Sequence, residues 1–145
     1  MEQLQEQTRM IELKNNCVQF MFAYQKKDVA LMMSFCDPEG EVYFKPLGEA
    51  GRGKIGELGK NLWTMLIDSF PDIHNTVDAI VSEGDQVRCQ VLITGTQAKD
   101  FAGIVNKGDH FESDHIFIFR LNEQDKIDRI GIEWDHEDFV RQLSK

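Results

Sequence analysis

The sequence lacks several features that would assign it to particular classes of protein. No apolar run approaches the roughly 20 residues of a membrane-spanning helix. The 16 basic residues are scattered among 25 acidic ones, for a net charge of −9. This balance argues against a nucleic-acid partner and against binding to anionic membranes. The charged N-terminal stretch has no apolar segment typical of a signal peptide, so we expect a cytoplasmic protein.

Cysteine and metal-ligand patterns are equally sparse. Cys17, Cys36 and Cys89 are odd in number and far apart, which favours free thiols in a reducing compartment over a disulfide framework. The 4 histidines show no H-x-H or H-x-x-x-H spacing, and the chain has no C-x-x-C or G-x-S-x-G motif. We therefore expect neither a metal site nor another cofactor.

A glycine-rich stretch at residues 48–55 is similar to a phosphate-binding loop but departs from it at a decisive position. Gly48, Gly53 and Lys54 match G-x-x-x-x-G-K after a short strand pattern. The next residue is Ile55, where a Ser or Thr would hold magnesium, and Glu49 would repel phosphate. We expect a turn and a helix start here, and no nucleotide site.

The clearest pattern lies in residues 110–136. Two runs rich in β-branched and aromatic residues flank the polar stretch 121–125, which predicts a β-hairpin. Alternation on the first strand separates one face with Ser113, His115, Phe117 and Phe119 from another with Asp114, Ile116, Ile118 and Arg120. On the second strand it separates Ile130, Ile132 and Trp134 from Arg129, Gly131, Glu133 and Asp135. The polar side needs water, a partner charge or a ligand.

The remaining patterns predict a single α+β domain over residues 1–145. Apolar spacing predicts helices over 2–27, 28–36 and 54–69, and a short helical tail over 136–145. Strands are predicted over 41–46, 73–81 and 86–96, with turns at 37–40 and 82–85 and loops over 48–53 and 97–109. Because helices come first and consecutive strands follow, the sheet should be largely antiparallel.

Four short stretches, in this order along the chain, are similar to the NTF2-like superfamily, and most similar to its SnoaL-like polyketide cyclase family. They are Phe70-Pro71-Asp72 before a strand, Glu83 to Val87 leading to Thr94-Gly95-Thr96, Phe119-Arg120-Leu121 before a turn, and Trp134-Asp135 shortly before Arg141-Gln142-Leu143. The resemblance spans about residues 18–143. It implies a cystatin-like, cone-shaped barrel in which helices pack on a curved, mostly antiparallel sheet around a deep pocket.

Relatives of this kind often form homodimers, and the sequence offers two apolar sheet faces for self-association. One is the face of Ile130, Ile132 and Trp134, and the other is the outward apolar side of the 86–96 strand. The superfamily fold hosts many chemistries, so the resemblance in fold does not assign a function. A ketosteroid-isomerase-like or epoxide-hydrolase-like site is disfavoured, because Lys45 and Phe117 stand where those families place carboxylates.

The resemblance to the cyclases implies cofactor-free acid–base chemistry for an intramolecular ring closure. The expected proton carrier is a carboxylate at the end of the last strand, which matches Asp135, with Glu133 or His136 as the alternatives one position away. His115 would share the cavity and steady the substrate carbonyl. The competing interpretation is that Asp135 caps the tail helix and His115 is a wall residue.

Six further residues are candidates for the substrate pocket: Tyr43, Lys45, Trp63, Phe117, Phe119 and Glu133. Lys45 would pair with Glu133 or Asp135 or bind an acidic ligand, or else be a solvated charge at the rim, and Trp63 would alternatively be core. The leading hypothesis is a small-molecule cyclase or isomerase working on an apolar substrate. The alternatives are a non-catalytic protein that binds a small ligand and a pure interaction module.

Overall fold

The computed structural model describes the backbone of residues 2–145 and the side chains of residue 5 and of residues 7–145. Four α-helices are present: α1 (Glu2–Gln25), α2 (Val29–Ser34), α3 (Lys60–Ser69) and α4 (His136–Gln142). Six strands are present: β1 (Cys36–Phe44), β2 (Arg52–Lys54), β3 (His74–Glu83), β4 (Gln86–Thr96), β5 (His110–Leu121) and β6 (Ile127–Trp134).

The six strands form one sheet in the order β2-β1-β6-β5-β4-β3. All neighbours are antiparallel except β1 and β6, which run parallel. The predicted α+β class and mostly antiparallel sheet are therefore confirmed. The predicted bounds of β4 are those observed, and the 110–136 hairpin forms with His115 opposite Trp134 and Phe119 opposite Ile130.

Helices α1 and α3 cover one face of this sheet because each carries an apolar stripe. The predicted stripe of α1, which contains Cys17, Phe20, Met21 and Tyr24, is buried throughout. Phe20 packs edge-on against Trp63 of α3 at 5.3 Å between ring centroids, and against Phe119 of β5 at 5.5 Å. These aromatic contacts join both helices to the sheet and create the core.

The stretch 37–40 corrects one prediction, since it lies inside β1 and is not a turn between elements. Cys36 pairs with Ile127 and Glu41 with Arg129, so five residue steps on β1 oppose two on β6. The Pro and Gly that favoured a turn instead form an irregularity within the strand. Gly40 is required there, because a Cβ atom would clash with the backbone of Asp128.

Residues 45–59 also differ from the prediction. A 3₁₀ segment occupies Lys45–Gly51 in place of a loop, and it is followed by β2. The predicted 54–69 helix begins as a π-helical turn over Ile55–Gly59 before α3 starts at Lys60. Within the described chain, no helix is both long and apolar enough to cross a membrane.

Candidate active site

The inward face of the sheet and the helices above it enclose a cavity with an aromatic wall. Its open volume is about 30 Å³, which is room for one or two water molecules. The apolar lining consists of Phe44, Leu47, Leu62, Trp63, Leu66, Ile73, Ile93, Phe101, Phe111, Phe117, Ile132 and Phe139. Leu47, Leu62 and Leu66 are only partly buried, so they are the lining side chains that would have to move to admit a larger ligand.

Gly95 allows the aromatic rings on one side of this cavity to pack close to the sheet. A Cβ atom at Gly95 would lie 3.1 Å from the Phe111 ring and 3.2 Å from the Cβ of Phe70. Because glycine has no Cβ atom, Phe70 and Phe111 can pack edge-on against each other, with 5.1 Å between ring centroids. Phe111 also packs against Phe139 of α4, with 4.9 Å between ring centroids. A larger residue at position 95 would push these rings into the cavity.

Four lining residues carry polar side-chain atoms: Tyr24, His115, Trp134 and Trp63, whose indole ring is otherwise part of the apolar wall. His115 is 8% exposed, and its Nδ1 lies 3.2 Å from the carbonyl oxygen of Ser113. A carbonyl oxygen can only accept, so Nδ1 carries the proton and the neutral ring keeps a lone pair on Nε2. Burial lowers the pKa of His115 to about 4, outweighing the opposing effect of the Ser113 contact. The ring is therefore neutral at physiological pH.

Tyr24 supplies the second polar group. Its side chain is 2% exposed, and burial raises its pKa, so the phenol stays protonated. Among the described residues, none lies within hydrogen-bonding distance of its hydroxyl. Sequence reasoning assigned Tyr24 only to the core stripe of α1. Its place at the C-terminal end of that stripe is the one signal that could have marked it as a pocket residue.

Trp134 forms part of the wall next to His115. The two rings lie 5.2 Å apart at an angle of 33°. The indole Nε1–H donates to Nδ1 of His136 at 3.2 Å, so this polar atom is already used. Within the described chain, the cavity wall thus carries one acceptor without a partner, His115 Nε2, and two donors without a partner, the Tyr24 hydroxyl and the Trp63 indole N–H, among apolar side chains.

Comparison with known proteins assigns the family. A family model described as SnoaL-like polyketide cyclase matches residues 15–144. The chain belongs to the SnoaL-like polyketide cyclase family. The predicted resemblance is therefore confirmed, and a family of polyketide cyclases acts on small molecules. No curated protein sequence matches the chain significantly.

Solved structures of SnoaL-like proteins share the fold. A protein from Jannaschia sp. CCS1, provisionally described as a SnoaL-like polyketide cyclase, has TM-score 0.82 and 16% identity, covering 92% of each chain. IdmH from Streptomyces antibioticus, provisionally a polyketide cyclase, has TM-score 0.74 and 23% identity over 92% of this chain and 99% of its own. AclR from Streptomyces galilaeus, provisionally a hydroxylase, has TM-score 0.79 and 18% identity over 93% and 97%. These similarities establish the NTF2-like fold alone.

The predicted partner of His115 lies elsewhere in this SnoaL-like chain. Asp135 is exposed and caps α4, accepting a hydrogen bond from the backbone N–H of Asp138 at 3.1 Å. The residue opposite His115 on the neighbouring strand is Trp134, so alternation turns both Glu133 and Asp135 away from the cavity. The structure therefore does not bring Asp135 and His115 together, and it shows Asp135 in the capping role.

Three of the predicted pocket residues need correction because they lie on the outer face of the sheet. Lys45 Nζ and Glu133 Oε1 form an ion pair of 3.1 Å, both half-exposed, which confirms one of the partners expected for Lys45. Tyr43 lies beneath the guanidinium of Arg52, 4.3 Å from ring centroid to Cζ. None of these three lines the cavity.

Of the three aromatic residues predicted for the pocket after Tyr43, two line the cavity and one does not. Trp63 and Phe117 line the cavity, although both are also core residues with 1% exposure. Phe119 lies deeper, stacked on Phe117 at 5.8 Å and fully buried. Across the described part of the chain, no group of three His, Cys, Asp or Glu side chains is arranged to hold a metal ion.

Proposed function

We propose that this SnoaL-like protein is an acid–base enzyme of cyclase or isomerase type, with His115 as its proton carrier and Tyr24 as the hydrogen-bond donor to the substrate. The observation that carries the proposal is the pairing of a free imidazole nitrogen with a free hydroxyl in one apolar cavity. The substrate would be a small apolar carbonyl compound, and the reaction would proceed without a cofactor.

In this proposal, His115 Nε2 removes a proton from the carbon next to a substrate carbonyl. The electrons move onto the carbonyl oxygen, where the Tyr24 hydroxyl stabilises the enolate by donating a hydrogen bond. The enolate carbon then attacks a second carbonyl of the same molecule, forming the ring bond. The resulting alkoxide takes the proton back from the imidazolium, so the net reaction is an isomerisation.

The low pKa of His115 makes the neutral imidazole a weak base. The proton transfer, however, creates the imidazolium and the enolate together. Each charge lies in an apolar environment and stabilises the other, which raises the affinity of the imidazole for the proton during the reaction. The Ser113 carbonyl, which accepts from Nδ1–H, also favours the protonated ring.

Exchange of substrate protons for deuterium tests the first step without knowledge of the natural substrate. Phenylacetone would be incubated with the protein in D₂O, and loss of its CH₂ signal followed by NMR. We expect faster exchange with the native chain than with buffer, no acceleration with His115→Phe, and a decrease of roughly 10² with Tyr24→Phe. Asp135→Asn should behave as the native chain, and a loss of exchange in that variant would contradict the proposal.

A non-catalytic ligand-binding protein is the second candidate. It is favoured by the absence of any carboxylate among the residues that line the cavity, since His115 is the only base there. If phenylacetone or a similar aryl ketone shifts the indole NMR signals of Trp63 and Trp134 while its proton exchange stays at the buffer rate, this candidate replaces the enzyme.

We also propose a homodimer formed through the outer face of the sheet. Leu92, Ile116 and Ile118 are neighbours on this face and are only partly buried in the isolated chain. Burial of Ile130 and Ile132 in the core favours this face over the other one that the sequence offered. The three free, buried cysteines fit the proposal that the protein works in the reducing cytoplasm.

Charge on either side of this apolar strip supports a two-fold arrangement. Arg88 and Arg129 lie towards one end of the strands, and Glu112 and Asp114 lie towards the other. Consider a two-fold axis that lies near Ile116, parallel to the sheet and perpendicular to its strands. It would place the basic end of the outer face of one copy over the acidic end of the same face of the other copy. Sedimentation equilibrium should give a dimer, and Ile116→Glu should give a folded monomer. A monomeric native chain would contradict this arrangement.

A further inference from the structure

The hydrogen-bonding pattern of the cavity restricts the ligand beyond its being small and apolar. Nδ1 of His115 is committed to the Ser113 carbonyl at 3.2 Å, so the neutral ring presents only the lone pair of Nε2. Both atoms belong to His115, which is 8% exposed and lines the cavity. A ligand group that meets this nitrogen must therefore donate a hydrogen bond, since a second acceptor placed there would be repelled.

Charge restricts the ligand in a second way. None of the residues that line the cavity is a lysine, arginine, aspartate or glutamate. Lys45, the cation predicted for an acidic ligand, is paired with Glu133 on the outer face. An anion in the cavity would lose its hydration without gaining a partner charge, unless the buried imidazole became protonated against the effect of its surroundings.

We propose that the cavity selects uncharged, flat ligands that donate a hydroxyl hydrogen bond to Nε2 of His115, with phenols and enols as the chemical class, and that it excludes carboxylates. The hydroxyl of Tyr24 can donate to an oxygen acceptor on the same ligand. This inference rests on the proposed function only in taking the cavity as the ligand site. It names the class of ligand that the free nitrogen binds, which differs from a substrate that presents a C–H group to Nε2.

Three single-ring compounds test separately whether the ligand must donate a hydroxyl hydrogen bond and whether it must be uncharged. Phenol and toluene have nearly the same shape and differ in the hydroxyl, and benzoate adds a negative charge. The probes are kept to one ring because the open volume is about 30 Å³, so that even these compounds require Leu47, Leu62 and Leu66 to move. The 2 tryptophans of the chain, Trp63 and Trp134, both line the cavity, so their indole N–H signals in a ¹H–¹⁵N NMR titration report its occupancy.

With the native chain, phenol should bind about three- to tenfold more tightly than toluene, which is the contribution of one hydrogen bond to the acceptor. Benzoate should leave the indole signals unchanged. His115→Phe keeps a flat ring beside Trp134 but removes the acceptor, and with it toluene should bind more tightly than phenol. The comparison of probes on the native chain stands even if this variant does not fold.

Two results would overturn the inference while leaving the cavity as the ligand site: toluene binding the native chain as tightly as phenol, or benzoate binding as tightly as phenol. If none of the three probes shifts either indole signal, both the cavity as the ligand site and the inference are wrong. A preference for phenol that persists in His115→Phe would assign the acceptor to another group and would contradict the role of Nε2.

Discussion

The two faces of strand β5 place similar polar residues in opposite situations. On the inner face, His115 is buried beside Phe117 and carries no charge at neutral pH. On the outer face, Asp114 is exposed, and the neighbouring strand carries Glu133 in an ion pair with Lys45 that is half open to water. His115 and Asp114 are adjacent along the strand, so a shift of one residue exchanges these two environments.

This difference shows why charged residues were poor guides to the candidate site. Water screens the charges of the outer face, and most of them have nearby partners of opposite charge, such as Arg120 with Asp128. His115 and Tyr24, which face the cavity, are neutral, and among the described residues each lacks a protein partner for one polar atom. In the proposed function, reactivity follows from neutral groups that lack a partner in an apolar space.

The largest difference in stability is expected between substitutions of two consecutive residues of β5, one on each face of the sheet. Phe117→Ala removes a ring that is 1% exposed and lines the cavity, and it should lower the free energy of unfolding by about 3–5 kcal/mol. Ile116→Ala, on the partly exposed outer face, should lower it by about 1 kcal/mol. Urea denaturation at a fixed protein concentration measures both. Equal losses would contradict the assignment of inner and outer faces.

The buried imidazole should make stability fall in mildly acidic solution. The pKa of His115 is about 4 in the folded chain and about 6.5 when unfolded, so between these values the unfolded chain binds the extra proton. Stability should therefore decrease as the pH falls from 6.5 to 4, by about 3 kcal/mol from this group. The check is the difference in unfolding free energy between the native chain and His115→Phe at several pH values, which should be constant if His115 has an ordinary pKa.

The capping role of Asp135 predicts a smaller change. Asp135→Ala removes the side chain that accepts from Asp138 N–H and should lower the free energy of unfolding by about 1 kcal/mol. Asp135→Asn retains an acceptor and should cost less. Thermal unfolding followed by circular dichroism compares the two variants. If Asp135→Ala left stability unchanged, the cap would be energetically unimportant.

The smallest effect is expected at the outer ion pair. Lys45→Gln breaks the contact with Glu133, but both side chains are nearly half exposed, so the change in unfolding free energy should stay below about 1 kcal/mol. Adding salt should reduce the difference further. A much larger loss in urea denaturation would show that this pair contributes to the core of the structure, contrary to its position.

The parts of the fold that were predictable are those in which side-chain periodicity is strong. Alternation identified β4 and the inward face of β5, and the spacing of Phe20 and Tyr24 identified the buried side of α1. The irregular segment 37–40 was not predictable, because Pro and Gly favour turns and strand irregularities alike. Only the pairing with β6 distinguishes the two.

The candidate site was only partly predictable for a related reason. The sequence indicated His115 as an inward residue, but whether the last strand places Asp135 in the cavity depends on where that strand ends. The strand ends at Trp134, and α4 begins immediately after Asp135, so the carboxylate becomes a helix cap. Tyr24 was missed because a tyrosine at the end of an apolar stripe has the same pattern whether it fills the core or lines a cavity.

The most direct test of the account is the protonation state of His115 in the folded protein. A long-range ¹H–¹⁵N NMR spectrum at pH 7 distinguishes which ring nitrogen carries the proton. We predict a neutral ring with the proton on Nδ1, donated to the Ser113 carbonyl, and no change of state down to about pH 5. A proton on Nε2, or a ring already charged at pH 6, would contradict the claim that the cavity offers an open acceptor.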